Sequence, residues 1–236
     1  MKRSCFSSIS CNNCSNKHGI IPDLSQIEKE EFSNVKTSFS FKKGEIIFQE
    51  GNYAHNLYCI SIGKIKLSKL GKDGKEQIVR FAKDGDILGY RSLLSSESYH
   101  ATAFAMEETH VCIIPRDTFK KTIEENYRLS LRMMQLLSSD LKHAEQHLID
   151  IAQKTVRERI CEALVLLINS FGYTPNSKII NVTITRSEIA DFAGTTTESA
   201  IRAISSLSAE NIIAVEGKSI KIVNYNELVK NANTLD

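Results

Sequence analysis

The chain has 236 residues, 42% hydrophobic and 25% charged, with six cysteines and a formal net charge of +2. That balance is ordinary for a soluble globular protein and leaves room for one large core or two smaller ones. No apolar run is long enough to span a bilayer, and Met1-Lys2-Arg3 is not followed by the apolar stretch of a secretory signal. The expected location is therefore the cytoplasm, with no membrane partner, where cysteines serve as thiols or metal ligands rather than disulfides.

In chain order the sequence divides into four parts. Residues 1–24 read as a polar arm with three cysteines and no periodicity. Residues 25–125 contain, from about Phe39 to Ile114, short strands punctuated by glycine. Examples are Gly44–Phe48, Asn56–Leu67, Gln77–Phe81 and His110–Ile114, with turns at Lys72-Asp73-Gly74-Lys75 and Asp84-Gly85-Asp86. Many short strands at this spacing predict a sandwich or barrel.

Residues 126–155 predict one long helix. Met134, Leu137, Leu141, Ala144, Leu148 and Ile151 recur at steps of three and four, the spacing of a coiled-coil seam. Leu129, Met133 and Leu136 form a second apolar stripe that can pack on the helix's own domain. Two stripes imply two partners, so the seam predicts a homodimer.

Residues 156–236 carry the most specific local signals. Thr185-Arg186-Ser187-Glu188 and Thr195-Thr196-Thr197-Glu198 both have the Thr-x-x-Glu form of a capping box. Between them lie Ile189, Ala190, Phe192 and Ala193, closed by Gly194; after them Ala200, Ile201, Ile204 and Leu207 read as an apolar helix face. Two short helices across a glycine turn predict a helix-turn-helix that binds double-stranded DNA. Gly217-Lys218, between two apolar runs within Ile212–Val223, predicts the hairpin of a winged helix. Residues 156–230 hold eight basic and eight acidic side chains, so DNA contact must depend on placement rather than on charge excess.

Glu198 and Arg202 are four apart and share a helix face. Arginine can donate twice to guanine, and a carboxylate can accept from cytosine N4, so the pair suits a G·C step. By spacing alone the two could equally be a capping partner and its i,i+4 ion pair. Thr197 precedes them at the helix start. Arg186, Ser187 and Thr196 stand where hydroxyls and free N–H groups suit phosphate oxygens.

Taken together, Lys43-Gly44-Glu45, Leu57-Tyr58 with Gly63-Lys64-Ile65, Gly85-Asp86-Ile87-Leu88-Gly89, Thr185 to Ala190, Glu198 with Arg202, and Gly217-Lys218 resemble one family. It is that of the cyclic-AMP receptor protein and the fumarate–nitrate reduction regulator, and the resemblance covers nearly the whole chain. It implies an α+β fold: an N-terminal β-roll sensor of the cyclic-nucleotide-binding type, a dimerisation helix and a C-terminal winged helix-turn-helix. It also implies a dimer that binds a palindromic promoter site, works with RNA polymerase, and reads bases through the positions of Glu198 and Arg202. Ile201 departs from the small or hydroxyl residue common at its place, so the relatives' operators do not transfer.

The effector differs from that of the cyclic-AMP receptors. Where those relatives keep a glutamate and an Arg-Ser pair for the cyclic phosphate, this chain has Tyr90 and His100-Ala101. Arg91 alone reads as solvated or paired with an acid. Cyclic AMP is therefore not the expected ligand, although the roll can enclose another.

In the resemblance, Cys112 takes the place of the distant cluster ligand of oxygen-sensing relatives. With Cys5, Cys11 and Cys14 it makes four thiolates able to hold an iron–sulfur cluster. The order departs from those relatives, whose third arm cysteine follows the close pair. Cys11-Asn12-Asn13-Cys14 alone also suits zinc or a reversible disulfide. His18 is a possible substitute ligand, Cys59 and Cys161 read as core, and His143 with His147 read as a solvated face. No nucleophile–base constellation points to an enzyme. A β-roll regulator that answers to another small ligand, or to none, stays open.

Overall fold

The computed structural model describes residues 10–14 and 19–233. The chain divides into two compact units, one of residues 1–69 with 80–141, the other of 70–79 with 142–236.

The first unit opens on 3-10 turns at Cys11–Asn13 and Ile21–Asp23, then α1 (Gln26–Val35), which starts at a capping box between Ser25 and Glu28. Strands follow as β1 (Thr37–Phe41), β2 (Ile46–Phe48), β3 (Asn56–Ile62), β4 (Lys64–Leu70), β5 (Glu76–Lys83) and β6 (Ile87–Leu88). Then come α2 (Tyr90–Ser95), β7 (Thr102–Ala105), β8 (Thr109–Pro115) and α3 (Arg116–Glu125). The strands form two four-stranded sheets, ordered β1-β8-β3-β6 and β2-β7-β4-β5. The continuous run expected over Asn56–Leu67 is in fact two strands broken at Gly63, and β7 was not among the strands expected.

Side chains alternate along β3 and β8, so each strand has two distinct faces. On one face Ile60 and Val111 are buried; on the other, Leu57 and Ile114 are buried as a cross-strand pair. The arm is not a free polar segment. Among its described residues, Cys11, Ile20 and Leu24 are buried in the same core as Phe32 of α1. The physical reason is composition at single positions: Ile20 and Leu24 lose apolar surface to water only by folding back on the roll.

Helix α4 spans Tyr127–Gln153. Leu129 and Met133 are buried in the first unit's core and Leu136 packs partly against it. The other stripe is exposed: Met134 at 59%, Leu141 at 60% and Leu148 at 68%.

The second unit is built on α5 (Val156–Phe171), whose Ile160, Leu164 and Leu167 are fully buried. It continues through α6 (Arg186–Ala193), α7 (Thr197–Ala209), β9 (Ile213–Glu216), β10 (Ser219–Ile222) and α8 (Tyr225–Ala232). Lys154, at the break between α4 and α5, donates to Asp150 at 3.1 Å and to Glu162 at 3.0 Å with all three side chains largely buried. Burial opposes its charge, but the two carboxylates hold its pKa above the usual lysine value. His147 is not on a solvated face: it is half-buried and stacks on Phe192, and burial lowers its pKa.

Removing the Lys154 charge leaves two buried carboxylates facing each other without a cation. Lys154→Met should destabilise the second unit by about 3–5 kcal/mol, measured as a shift of its urea transition.

Candidate functional site

Two sites stand out, one in each unit. In the second, Thr185 caps α6 by accepting from the Glu188 N–H, and Glu188 returns to the Thr185 N–H at 2.9 Å. Gly194 ends the helix at φ 62°, ψ 46°, a left-handed conformation that a side chain would strain. Three residues then separate α6 from α7, the short turn of a helix-turn-helix.

The second capping box does not form. The N-cap of α7 is Thr196, not Thr195, and its hydroxyl accepts from the Ser199 N–H at 3.2 Å. A one-residue shift of the helix start makes Ser199 the third helical residue and moves Glu198 off the return position. Glu198 is exposed instead; hydrogen bonds from its own N–H and the Thr196 hydroxyl hold its carboxyl below the usual carboxylate range. Arg202 is also exposed and donates to Ser199 Oγ at 3.0 Å.

Ala200, Ile204 and Leu207 form the buried face of α7. Ile201, which the apolar spacing assigned to that face, is 46% exposed beside Glu198 and Arg202, because four apolar residues span more arc than the core covers. Thr197 is half-buried at the first turn and Ser187 is exposed on α6. Arg186 is half-buried and donates to the Gly217 carbonyl at 3.1 Å, tying α6 to the β9–β10 turn. Burial lowers its pKa. Strands β9 and β10 pair antiparallel from Ile213↔Ile222 to Glu216↔Ser219, with Gly217-Lys218 as their turn.

In the first unit, a small cavity of about 30 Å³ lies between the sheet face of β3 and β8 and the arm with α1. Cys11, Cys14, Cys59 and Cys112 all line it, with Phe32 and Lys36. The 3-10 turn that spans Cys11–Asn13 brings Cys14 round to the same wall, and the Cys11 N–H is held by Ser33 Oγ at 2.9 Å. Gly19 seats the returning arm: a Cβ there would stand 2.5 Å from the Gly85 carbonyl oxygen. Cys112 lies between Ser38 and Cys59 in the sheet register. Its sulfur is 3.5 Å from Ser38 Oγ and accepts from Lys36 Nζ at 3.9 Å.

Cys59 packs against the core, as its apolar neighbours predict, and it also stands on the cavity wall, where burial and then the neighbouring Cys112, Cys11 and Cys14 push its thiol pKa up. Only the β3–β8 register reveals this; nothing in the local sequence of Cys59 does. Cys161 is fully buried in α5, and burial pushes its thiol up to about 11. Cys5 and His18 lie outside the described residues. Among the described residues no three Cys, His, Asp or Glu side chains converge closely enough for a single metal ion.

Where the cyclic phosphate of a nucleotide would be expected, protein groups saturate one another. Tyr90 is buried and donates to Asp140 of α4 while accepting from Arg80 at 3.1 Å. Arg91 meets the same carboxylate at 2.6 Å, so the acid-paired reading of Arg91 is the observed one. Asp140, on a helix face that sequence reasoning left unassigned, is the partner it did not find.

The comparisons with known proteins agree with this geometry. Residues 38–126 match the cyclic nucleotide-binding domain and residues 158–230 the Crp-like helix-turn-helix domain. The class is thereby defined: a DNA-binding transcription regulator with a cyclic-nucleotide-binding-type roll. The chain is 29% identical to the fumarate and nitrate reduction regulatory protein of Yersinia pestis over 94% of its own length and 90% of that protein's. It is 27% identical to the anaerobic regulatory protein of Aggregatibacter actinomycetemcomitans, over 96% and 89%. FixK2 from Bradyrhizobium japonicum superposes with a TM-score of 0.76 at 27% identity, covering 86% of this chain and all of that one. The chain belongs to the CRP/FNR family of transcription regulators. Among the described residues no helix is long and apolar enough to cross a membrane.

A site read by Arg202 should discriminate by about 1–3 kcal/mol, or roughly 5- to 150-fold, at one base pair. Arg202→Ala is therefore expected to lose operator preference by that factor in a competition assay while keeping weak, salt-sensitive non-specific binding. Unchanged preference would remove Arg202 from base reading.

Proposed function

We propose that the chain is a homodimeric, redox- or oxygen-responsive regulator acting in the cytoplasm with RNA polymerase at palindromic promoter sites. On this reading the arm (1–24) and roll (25–125) sense, the helix of 126–155 dimerises, and the winged helix-turn-helix (156–236) binds DNA. The observation that carries the sensing half is the meeting of Cys11, Cys14 and Cys112 at one cavity although the third lies about a hundred residues from the first two. The relatives' names, fumarate and nitrate reduction and anaerobic regulation, point to the same physiology.

The donor set, thiols lining one cavity, is the ligand chemistry of an iron–sulfur cluster. Such a cluster, when bound, supplies a group that oxidants destroy, which makes its presence a report on oxygen or redox state. The chain's own contribution is to supply thiolates, to place Lys36 and Ser38 against the Cys112 sulfur, and to close the cavity with the arm. A cyclic nucleotide is disfavoured because Asp140 already satisfies Arg80 and Arg91.

For DNA, Glu198 and Arg202 address one G·C step from the exposed face of α7, and Ile201 beside them suits a thymine methyl. Thr197 supports them at the helix start. Thr196 and Ser187 serve phosphates, whereas Arg186 contributes by fixing the wing turn as well as by its charge. Two copies joined along Met134, Leu137, Leu141, Ala144, Leu148 and Ile151 would set their recognition helices one helical turn apart, roughly 34–36 Å.

Protein purified without oxygen should show a broad charge-transfer band with matching iron and sulfide, and the band should bleach in air. A colourless, iron-free protein that still binds its operator would end the cluster reading and leave the DNA reading intact. Leu141→Glu combined with Leu148→Glu should yield a monomer by analytical ultracentrifugation and weaken operator binding by roughly 100-fold or more, through lost bivalency.

A further inference from the structure

Resting on the cluster reading, we propose that Cys59 is the fourth cluster ligand, so that the set is Cys11, Cys14, Cys59 and Cys112, with Cys5 outside it. The sequence order is what raises the question. An arm cysteine after the close pair is missing, and Cys5 precedes it by six residues. The sheet supplies the thiol that the arm lacks.

The argument is one of register and facing. Cys59 and Cys112 are direct antiparallel partners on β3 and β8, and Leu57 and Ile114 pair two residues further along. Direct cross-strand partners point to the same side of the sheet, with Cβ atoms about 4.5–5.5 Å apart. Both thiols therefore look into the cavity that Cys11 and Cys14 close from the arm. The sheet contributes two donors from adjacent strands, and the turn that spans Cys11–Asn13 contributes two from the opposite wall. All four donors line the same cavity, two from the sheet and two from the arm.

Chemistry agrees with position. A structural cysteine in a packed strand gains nothing from three other thiols beside it, whereas metal ligation exchanges each thiol proton for a bond to iron. Lys36, on the same cavity wall, offsets part of the negative charge the four thiolates bring.

The test uses the full chain, reconstituted without oxygen with ferrous iron and sulfide. Cys59→Ala should lose at least about fivefold of its iron and sulfide and its charge-transfer band, while Cys5→Ala keeps both at wild-type level. Cys59→Ser, which places a weaker oxygen donor at the same point, guards against a fold defect. A reduced or spectrally shifted cluster in it, with an unchanged thermal transition, marks direct ligation. Wild-type iron, sulfide and spectrum in Cys59→Ala or in Cys59→Ser would overturn the assignment, as would loss of the cluster in Cys5→Ala. A wild-type chain that takes up no iron fails the cluster reading itself, and with it this one. A loaded wild type with an equally loaded Cys59→Ala fails only the ligand assignment.

Discussion

The pairing register between β3 and β8 is the constraint on which the sensor unit depends. It buries Ile60 and Val111 on one face of the sheet and sets Cys59 opposite Cys112 on the other. Because side chains alternate with a period of two, a slip of one residue would send the thiols into the apolar interior and the core residues into the cavity. Burial of Leu57 and Ile114 on the cavity side makes such a slip expensive. The chemistry of the cavity is thus secured by hydrophobic residues that take no part in it.

The arm extends the same logic. Ile20, Leu24 and Phe32 anchor it by burial, and the close approach of Gly19 to the Gly85 carbonyl fixes where it crosses the sheet. Two thiols that would be solvent-exposed on a loose tail become part of a wall. Local turn chemistry at Ser10 and Ser33 then orients Cys11 within it.

Helix α4 carries three separate tasks on one element. One stripe belongs to the roll, a second is left exposed at dimer spacing, and Asp140 collects Tyr90, Arg80 and Arg91. At its far end the buried Lys154, between Asp150 and Glu162, joins it to α5 by charge rather than by apolar contact alone. In the DNA-binding unit acidic and basic residues balance in number, and Glu198 and Arg202 stand on the exposed face of α7.

Much of this was legible in the sequence because the signals are local. Strand alternation, the heptad steps of α4, the Thr185 capping box and Gly194 each act within a few residues, and together they specify the two-domain plan and the helix-turn-helix. The second capping box misled because Thr195, Thr196 and Thr197 offer three equivalent hydroxyls; which one caps α7 is decided by how the helix packs on its apolar face. Ile201 was misassigned for a related reason, since periodicity gives a stripe but not the width of the core that receives it. Cys59 and Asp140 were invisible for a deeper one. Their partners lie 53 and about 50 residues away in sequence, at Cys112, Tyr90 and Arg91, and only strand register and helix packing bring them together. What the sequence by itself determined was the order and type of the elements; what only the tertiary structure decided was which thiols and which charges share a site, because that depends on contacts no local pattern encodes.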